Sequence, residues 1–317
     1  MNNTNEAVEN AVATVAGLHI PAALRKGAFS AINRLLGAAV DVPAAYLESF
    51  SEDIRATTEA RKLVRIRAAE ALSKGFATDE KFADRAFRRE ASKIMREQET
   101  LEDVAKIAIE DISRSNPDKE PEREIDQDWL NTFQAEAVQK SSEDMKLVFG
   151  RILSGEIKKP GSFSIAAVRT LGMMDQTSAT LFRHFCSLVI SVAGDSRVAS
   201  IKGNAAKNGL STWGLPYAIL NQLREFGLIN SDFNSYMPYG QFATKIQIPI
   251  EYMGRLHKLI ALDGANQDYR VNGVELTKIG RELRAIVELV EIPTYTAALY
   301  ESFTQNKYEL RPIAATV

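Results

Sequence analysis

The sequence is poor in the residues that most often build disulfides and metal sites: among 317 residues it has one cysteine, Cys186, and three histidines, His19, His184 and His257. A single cysteine excludes an intramolecular disulfide and is typical of a reducing compartment. The histidines lie in three different segments, so a shared metal site would need a fold that gathers them. We therefore expect no bound metal and no cofactor.

An excess of charge of one sign is also missing, since the formal net charge is -2 and the pI is about 6.1. Nucleic acid or anionic lipid could then be attracted only by a local patch. The apolar stretch 11–24 has 14 residues, too few to span a bilayer, and it follows Glu6 and Glu9 rather than a basic leader. We expect a cytoplasmic protein with no transmembrane segment.

The known catalytic sequence motifs are absent as well. The chain has no P-loop, dinucleotide-binding fingerprint, HExxH, paired-cysteine or GxSxG motif. The sequence therefore assigns no catalytic residue, although an active site built from scattered residues would leave no such pattern.

What the sequence does contain is a run of strong helix signals over residues 129–164. Trp129, Phe133 and Ala137 recur every four residues, which predicts one buried face of a helix. A weak capping box at Ser141 begins a second amphipathic helix, which a Pro-Gly turn ends.

Glu156 stands out in the last turn of that second helix, because a carboxylate there opposes the helix dipole. The nearest compensating donors are the backbone N–H groups of residues 161–164. We predict that Glu156 reaches across the turn to them and ties two helices together. A solvated surface glutamate is the alternative. A catalytic role is not favoured, since no second acid, histidine or metal ligand lies nearby in the sequence.

Eight residues of this region form a recognisable signature: Trp129, Phe133, Phe149, Leu153, Glu156, Pro160, Gly161 and Ser164. The pattern resembles the bacterial family catalogued as domain of unknown function 2806. That family is similar in turn to the abortive-infection alpha group, whose members are proposed to act in phage defence. The resemblance is most specific over residues 125–195. It implies a helical bacterial protein with no agreed catalytic residues and a role in defence.

The N-terminal region predicts extended helices. Residues 11–40 contain an amphipathic helix that either packs on the protein or lies on a membrane surface. Residues 43–114 predict two long helices joined near Gly75, which together form a hairpin arm.

Charge is segregated along this arm and the segment that follows it. Residues 55–96 hold 12 Lys or Arg against 6 Asp or Glu, whereas residues 97–128 hold 4 against 12. Such blocks most often pair within or between chains, and we predict a homo-oligomer formed through residues 43–114. A nucleic-acid groove on the basic part is the alternative.

The C-terminal region shifts toward short strands and predicts a small winged helix. Asn221, Gln222 and Arg224 are then the candidate nucleic-acid contacts, although Glu225 offsets them. Residues 211–317 hold 10 basic against 11 acidic residues, so the phosphate attraction that dominates DNA binding is missing. Binding to a protein is favoured for this module.

The expected fold class is thus mainly α: a helical region with a long hairpin arm over 1–115, a helical bundle over 116–195, and a small α+β winged-helix-like domain over 196–317. We expect a non-enzymatic protein that oligomerises or binds a macromolecule in phage defence, with a phage-derived protein as one candidate partner. A DNA-associated regulator and a membrane-surface effector acting through residues 11–40 are the alternatives.

Overall fold

The chain folds into two compact units, Met1–Ile165 and Ala166–Val317. The computed structural model describes residues 20–36, 80–115, 117, 119–241, 243 and 249–313. The first helix of the predicted hairpin and most of the remainder of residues 1–79 lie outside these ranges. The boundaries of the three domains expected from the sequence differ from the boundary between these two units. The three-domain division stays a prediction.

Four helices of the first unit are described: α1 (Ala22–Leu36), α2 (Glu80–Ser113), α3 (Gln127–Ala137) and α4 (Glu143–Lys158). Helix α2 is the predicted second helix of the hairpin. Asp126 caps α3 by accepting the Trp129 N–H at 3.0 Å. Ser142, one residue later than expected, caps α4 by accepting the Met145 N–H at 3.4 Å.

Helices α2 and α4 cross very closely at Gly150. A Cβ added at Gly150 would lie 2.6 Å from the Ile107 Cβ, so only glycine permits this approach. Helix α1 packs on the same bundle, and its apolar face is fully covered. The buried residues of α1 are Leu24, Ala28, Ala31, Ile32 and Leu35.

The second unit combines helices with a sheet. Its helices are α5 (Ile165–Met173, which begins at the last residue of the first unit), α6 (Gln176–Ser187), α7 (Tyr217–Glu225), α8 (Tyr239–Gln241), α9 (Lys278–Arg284) and α10 (Pro293–Gln305). Its strands are β1 (Val189–Val192), β2 (Asp195–Ala199), β3 (Ser235–Met237), β4 (Ile250–Tyr252), β5 (Arg255–Ala261), β6 (Val271–Glu275) and β7 (Tyr308–Pro312).

Among the described residues these seven strands form one sheet in the order β3-β6-β2-β1-β4-β5-β7. Every neighbouring pair is antiparallel. The predicted fold class, mainly α with a small winged-helix-like domain, is therefore wrong, and the chain is mixed α/β.

The error begins at residues 189–192, which fall within the helical bundle predicted over residues 116–195. The preceding helix, α6, ends at Ser187, and Val189, Ile190 and Val192 are buried in β1 instead. An apolar run of four residues fits a buried strand as well as a buried helix, and pairing with β2 decides the outcome.

The expected wing is also replaced by other pairings. Ile229, four residues after the end of α7, makes one isolated bridge, to Leu276. Strand β5 pairs with β4 through a tight turn at Met253 and Gly254, which have φ of 51° and 69°. Residues 242–248, which precede β4, lie largely outside the described residues. Thr277 caps α9 by accepting the Gly280 N–H at 3.1 Å.

Candidate functional site

The signature residues meet at a corner formed by the end of α4 and the turn that follows it. The Glu156 carboxylate accepts the Gly161 N–H at 2.5 Å and the Phe163 N–H at 3.0 Å. The contact predicted for Glu156 is confirmed, and this side chain is only 2% exposed. The carboxylate thus holds the turn at the C-terminus of α4, where its charge would otherwise oppose the helix dipole.

Arg123 closes the other side of this turn. Its Nε and Nη2 groups donate to the Pro160 carbonyl at 3.1 and 2.8 Å. Gly161 has φ of 87°, and a Cβ there would collide with the Arg123 guanidinium. Glycine is therefore required by both the backbone conformation and the close approach of the arginine.

An aromatic cluster packs against the corner. The Trp129 indole N–H donates to the Phe163 carbonyl at 2.8 Å, and its ring stacks on Phe133 with a centroid distance of 5.1 Å. Phe149 continues the cluster at 5.5 Å from Phe133. Leu153 is fully buried beside them in α4.

The remaining signature positions frame the turn. Pro160 is half-buried and provides the carbonyl that Arg123 holds, and Ser164 directly precedes α5. The signature residues thus lie close together at this corner, and most of them make hydrogen bonds or packing contacts that stabilise it.

Electrostatics at the corner are dominated by desolvation. Burial raises the pKa of Glu156 above its ordinary value, and the N–H groups of residues 161–163 together with the Arg123 charge only partly oppose that rise. A second carboxylate, which lies on α2 and bonds to side chains of α4, behaves differently. Burial also acts on Asp111, but hydrogen bonds from Lys158 and Ser154, both at 2.6 Å, prevail and lower its pKa.

A cleft of about 180 Å³ lies beside the corner, between α1 and the segment 120–125. Arg34, on its wall, donates to Gln127 Oε1 and to the Ile125 carbonyl at 3.1 Å. Small residues of α1, including Gly27 and Ala31, form the floor. Charged side chains of both signs surround the cleft: Lys26, Arg34, Glu120, Glu122, Arg123 and Glu124. Such a lining suits a polar ligand or a chain segment rather than an apolar molecule.

A second candidate surface is the projecting half of α2, defined here as residues 85–99. Phe87, Ile94, Leu101 and Ala108 recur every seven residues and therefore lie on nearly one stripe of the helix. Leu101 and Ala108 are buried in the bundle, at 3% and 0% exposure, whereas Ile94 is 58% exposed and Phe87 is half-buried. The apolar stripe therefore continues beyond the part of the bundle that the structure describes.

The opposite side of the projecting half is basic. Arg85 and Arg96 stand two residues from Phe87 and Ile94, which is about 200° around the helix. Arg85, Arg89 and Arg96 are exposed. We call these three residues the arginine face. Lys93, beside them, makes long ion pairs with Glu90 and Glu97 at 3.8 and 3.9 Å.

The residues expected to contact nucleic acid lie on α7 in the second unit. Gln222 donates to the Ser178 hydroxyl at 3.2 Å, Asn221 is half-buried, and Arg224 is exposed. They do not belong to a winged helix, because the sheet described above replaces that module. Their proposed contact with nucleic acid stays a prediction.

The two histidines that the structure describes are both held by backbone carbonyls. His184 Nε2 donates to the Trp213 carbonyl at 2.6 Å, and His257 Nδ1 lies 3.0 Å from the Arg255 carbonyl. Burial lowers the pKa of His257 and raises that of the fully buried Cys186 thiol. Within the described ranges no group of three or more His, Cys, Asp or Glu side chains could hold a metal ion. None of the helices in those ranges is long and apolar enough to cross a membrane.

Sequence reasoning missed a buried ion pair in strand β2. Asp195 binds the Nε and Nη2 groups of Arg197, whose Nη1 donates to the carbonyls of Ser235 and Val271. Asp195 and Arg197 are 7% and 2% exposed. An i, i+2 pair of opposite charges within a strand was the available signal, since such residues share one face of a sheet.

A comparison with models of protein families gives a match. A family model described as "Protein of unknown function (DUF2806)" matches residues 84–300, which is more than half of the chain. No curated protein and no solved structure matches it.

Proposed function

The chain belongs to the DUF2806 family, and on that premise we propose that it is a non-enzymatic protein that binds a macromolecule and self-associates through the projecting half of α2. The observation that carries the proposal is the apolar stripe that leaves the bundle at Ile94. A side chain of this size at the centre of such a stripe is stabilised when a partner covers it.

Self-association is favoured over an unrelated partner by the charge distribution of α2. Residues 80–96 hold 6 basic and 3 acidic side chains, and residues 97–113 hold 1 and 6. Two copies that pair antiparallel place each basic half against an acidic half, as a two-fold contact requires. We therefore propose residues 80–113 as the contact surface, which is the described part of the oligomer interface predicted over residues 43–114.

The test is the oligomeric state of Ile94→Asp, measured by sedimentation equilibrium at tens of micromolar. We expect the wild-type protein to associate and Ile94→Asp to weaken association at least tenfold, because a buried unpaired carboxylate is costly. Met173→Asp makes the same kind of change at a residue that is 67% exposed outside α2, and it should leave association unchanged.

Two results would count against the proposal. A monomeric wild-type protein would overturn self-association. If Ile94→Asp then also lowered the free energy of unfolding, the stripe would be covered within the chain, as in the hairpin arm predicted over residues 43–114.

We further propose that this assembly works in the cytoplasm and in phage defence. The cytoplasm is supported by the single cysteine, and defence by the resemblance to abortive-infection alpha proteins alone. Plaque counts for a panel of phages on cells expressing wild-type or Ile94→Asp protein test the role. Equal counts on both, and on cells without the protein, would contradict it.

The membrane-surface alternative is weakened by α1. A helix bound to lipid must turn its apolar face outward, but the apolar residues of α1 are buried in the bundle.

A further inference from the structure

Strand β7 lies at one end of the sheet, so one row of its backbone groups faces away from β5. The Ile313 N–H donates to the Leu256 carbonyl at 2.8 Å, and the Leu262 N–H donates to the Lys307 carbonyl at 2.9 Å. In an antiparallel ladder every second residue makes such bonds, so the odd-numbered residues of β7 bond to β5. The even-numbered residues therefore turn their backbone groups outward.

The outward backbone groups of β7 belong to Tyr308, Leu310 and Pro312. In the part of the chain that the structure describes, no strand lies beyond β7, and no residue bonds to the Leu310 N–H or C=O. An open edge of this kind is a template for a strand of another chain, and a second copy of the protein brings the same edge. Residues of β7 must therefore decide whether two copies pair here.

One antiparallel arrangement of two copies uses the whole of β7. Leu310 is the middle of the five residues Tyr308–Pro312, so a two-fold axis there pairs the full strand with its counterpart. Glu309 of each copy then lies opposite Arg311 of the other, and opposite charges at facing positions stabilise a pair of strands. The same contact would offset the like charges of Arg311 and Lys258, which face each other in register. Charge thus favours this arrangement.

The arrangements shifted by one residue are opposed by charge. A two-fold axis at Glu309 places this carboxylate opposite its own counterpart, and it places Arg311 opposite Lys307 of the second copy. An axis at Arg311 sets that guanidinium against itself. Like charges at facing positions destabilise a pair of strands. The pairing centred on Leu310 is therefore the one that needs a further barrier.

Pro312 is placed to provide that barrier. In the pairing centred on Leu310, Pro312 lies opposite Tyr308 of the second copy, and its nitrogen would have to donate to the Tyr308 carbonyl. Proline has no N–H, and a ring carbon takes the place of the hydrogen. Nitrogen and oxygen are only about 2.9 Å apart in such a bond, so the ring would collide with the carbonyl. The two-fold axis repeats this collision at the other end of the strands.

We infer that Pro312 prevents β7 from pairing with β7 of a second copy in the arrangement centred on Leu310. The inference does not depend on the contact proposed for α2, and it goes beyond that contact: copies that meet through α2 do not also join their sheets at β7. Pro312 suits this role because it is exposed, and because the N–H it lacks would point away from β5.

Pro312→Val tests the inference in chains that also carry Ile94→Asp, so that the contact through α2 contributes little. We expect sedimentation equilibrium to show at least tenfold tighter dimers for the double variant than for Ile94→Asp alone, because the strands can then exchange hydrogen bonds along their whole length. Pro293→Val replaces an exposed proline at the start of α10 and should add no association. Circular dichroism checks that each variant is folded.

A further pair of variants tests which residues face each other. Adding Glu309→Arg to the double variant places like charges opposite each other in the pairing centred on Leu310, and it should remove the gain. Adding both Glu309→Arg and Arg311→Glu exchanges the two charges, so opposite charges face each other again and the gain should return.

The other results each count against the inference or separate it from the proposed function. No gain from Pro312→Val, or an equal gain from Pro293→Val, overturns the role of Pro312. A gain that Glu309→Arg leaves unchanged overturns the pairing centred on Leu310. If Ile94→Asp alone associates as tightly as wild type, the contact proposed for α2 fails. The comparison with and without Pro312→Val still decides this inference, because it measures the added association.

Discussion

Two buried carboxylates of this protein, Glu156 and Asp195, are stabilised by different kinds of partner. Glu156 accepts hydrogen bonds from backbone amides of the turn it holds, with Arg123 as a nearby charge. Asp195 is paired directly with the buried guanidinium of Arg197. Amides supply partial charges that exist whether or not the carboxylate is ionised, whereas an ion pair requires both of its members.

This difference predicts how much a substitution at each site lowers the free energy of unfolding. Removing one member of a buried ion pair leaves an uncompensated charge in a medium of low dielectric constant. Changing a carboxylate held by amides leaves only polar groups without their best acceptor. We therefore expect the ion pair to be the more sensitive of the two.

The largest effect is expected for Arg197→Met. This change leaves Asp195 buried and unpaired, and it should lower the free energy of unfolding by about 3–5 kcal/mol. Chemical denaturation followed by circular dichroism measures the loss. The double variant Asp195→Leu with Arg197→Met should recover most of it, because no buried charge remains. A double variant as unstable as the single one would show that packing, rather than charge, makes Arg197 necessary.

An intermediate effect is expected for Glu156→Gln. The amide keeps one acceptor oxygen but turns an NH2 group toward the N–H donors of the turn, so a charge-assisted bond worth about 1.5–3 kcal/mol is lost. The denaturation midpoint should fall accordingly. Glu122→Gln removes the same charge from an exposed side chain nearby, and a shift within about 0.5 kcal/mol is expected there. Equal midpoints for wild type and Glu156→Gln would mean that the turn does not depend on the carboxylate.

The smallest effect concerns pH. Because burial raises the pKa of Glu156 in the folded state, that state binds the proton more tightly than the unfolded chain does. The wild-type protein should therefore gain stability relative to Glu156→Gln as pH falls through the raised pKa toward 4.5, and lose it again as pH rises. Paired denaturation curves at pH 7 and pH 4.5 measure this difference. A gap that narrows at the lower pH would contradict the assigned direction.

The corner could be predicted from the sequence because its determinants are local. The four-residue spacing of Trp129, Phe133 and Ala137 predicts α3, and the unfavourable position of Glu156 in a last helical turn indicates its amide partners. Arg123 was missed, since its acceptor is a backbone carbonyl 37 residues away and leaves no mark in the pattern of side chains.

The sheet could not be predicted because its determinants are distant in the sequence. Strand β2 contains Asp195 and Arg197, and charged side chains indicate an exposed position unless a buried partner is known. Here the carbonyls of Ser235 and Val271 accept from the buried guanidinium. Tertiary contacts thus overrode the local signal, as they do more often for strands than for helices.

The order of the strands also has a kinetic consequence. Val198 of β2 pairs with Val274 of β6. During synthesis, about 76 more residues must therefore be added after Val198 before β2 can pair with its second neighbouring strand. At ribosomal rates of about 5–20 residues per second this interval lasts several seconds, in which the β2 edge of the β1–β2 hairpin stays open, and the β1 edge is open as well until β4 is made. Pairing between residues so far apart in sequence is slow to form. Nascent chains are therefore most exposed to misassembly between the synthesis of Ala199 and that of Glu275.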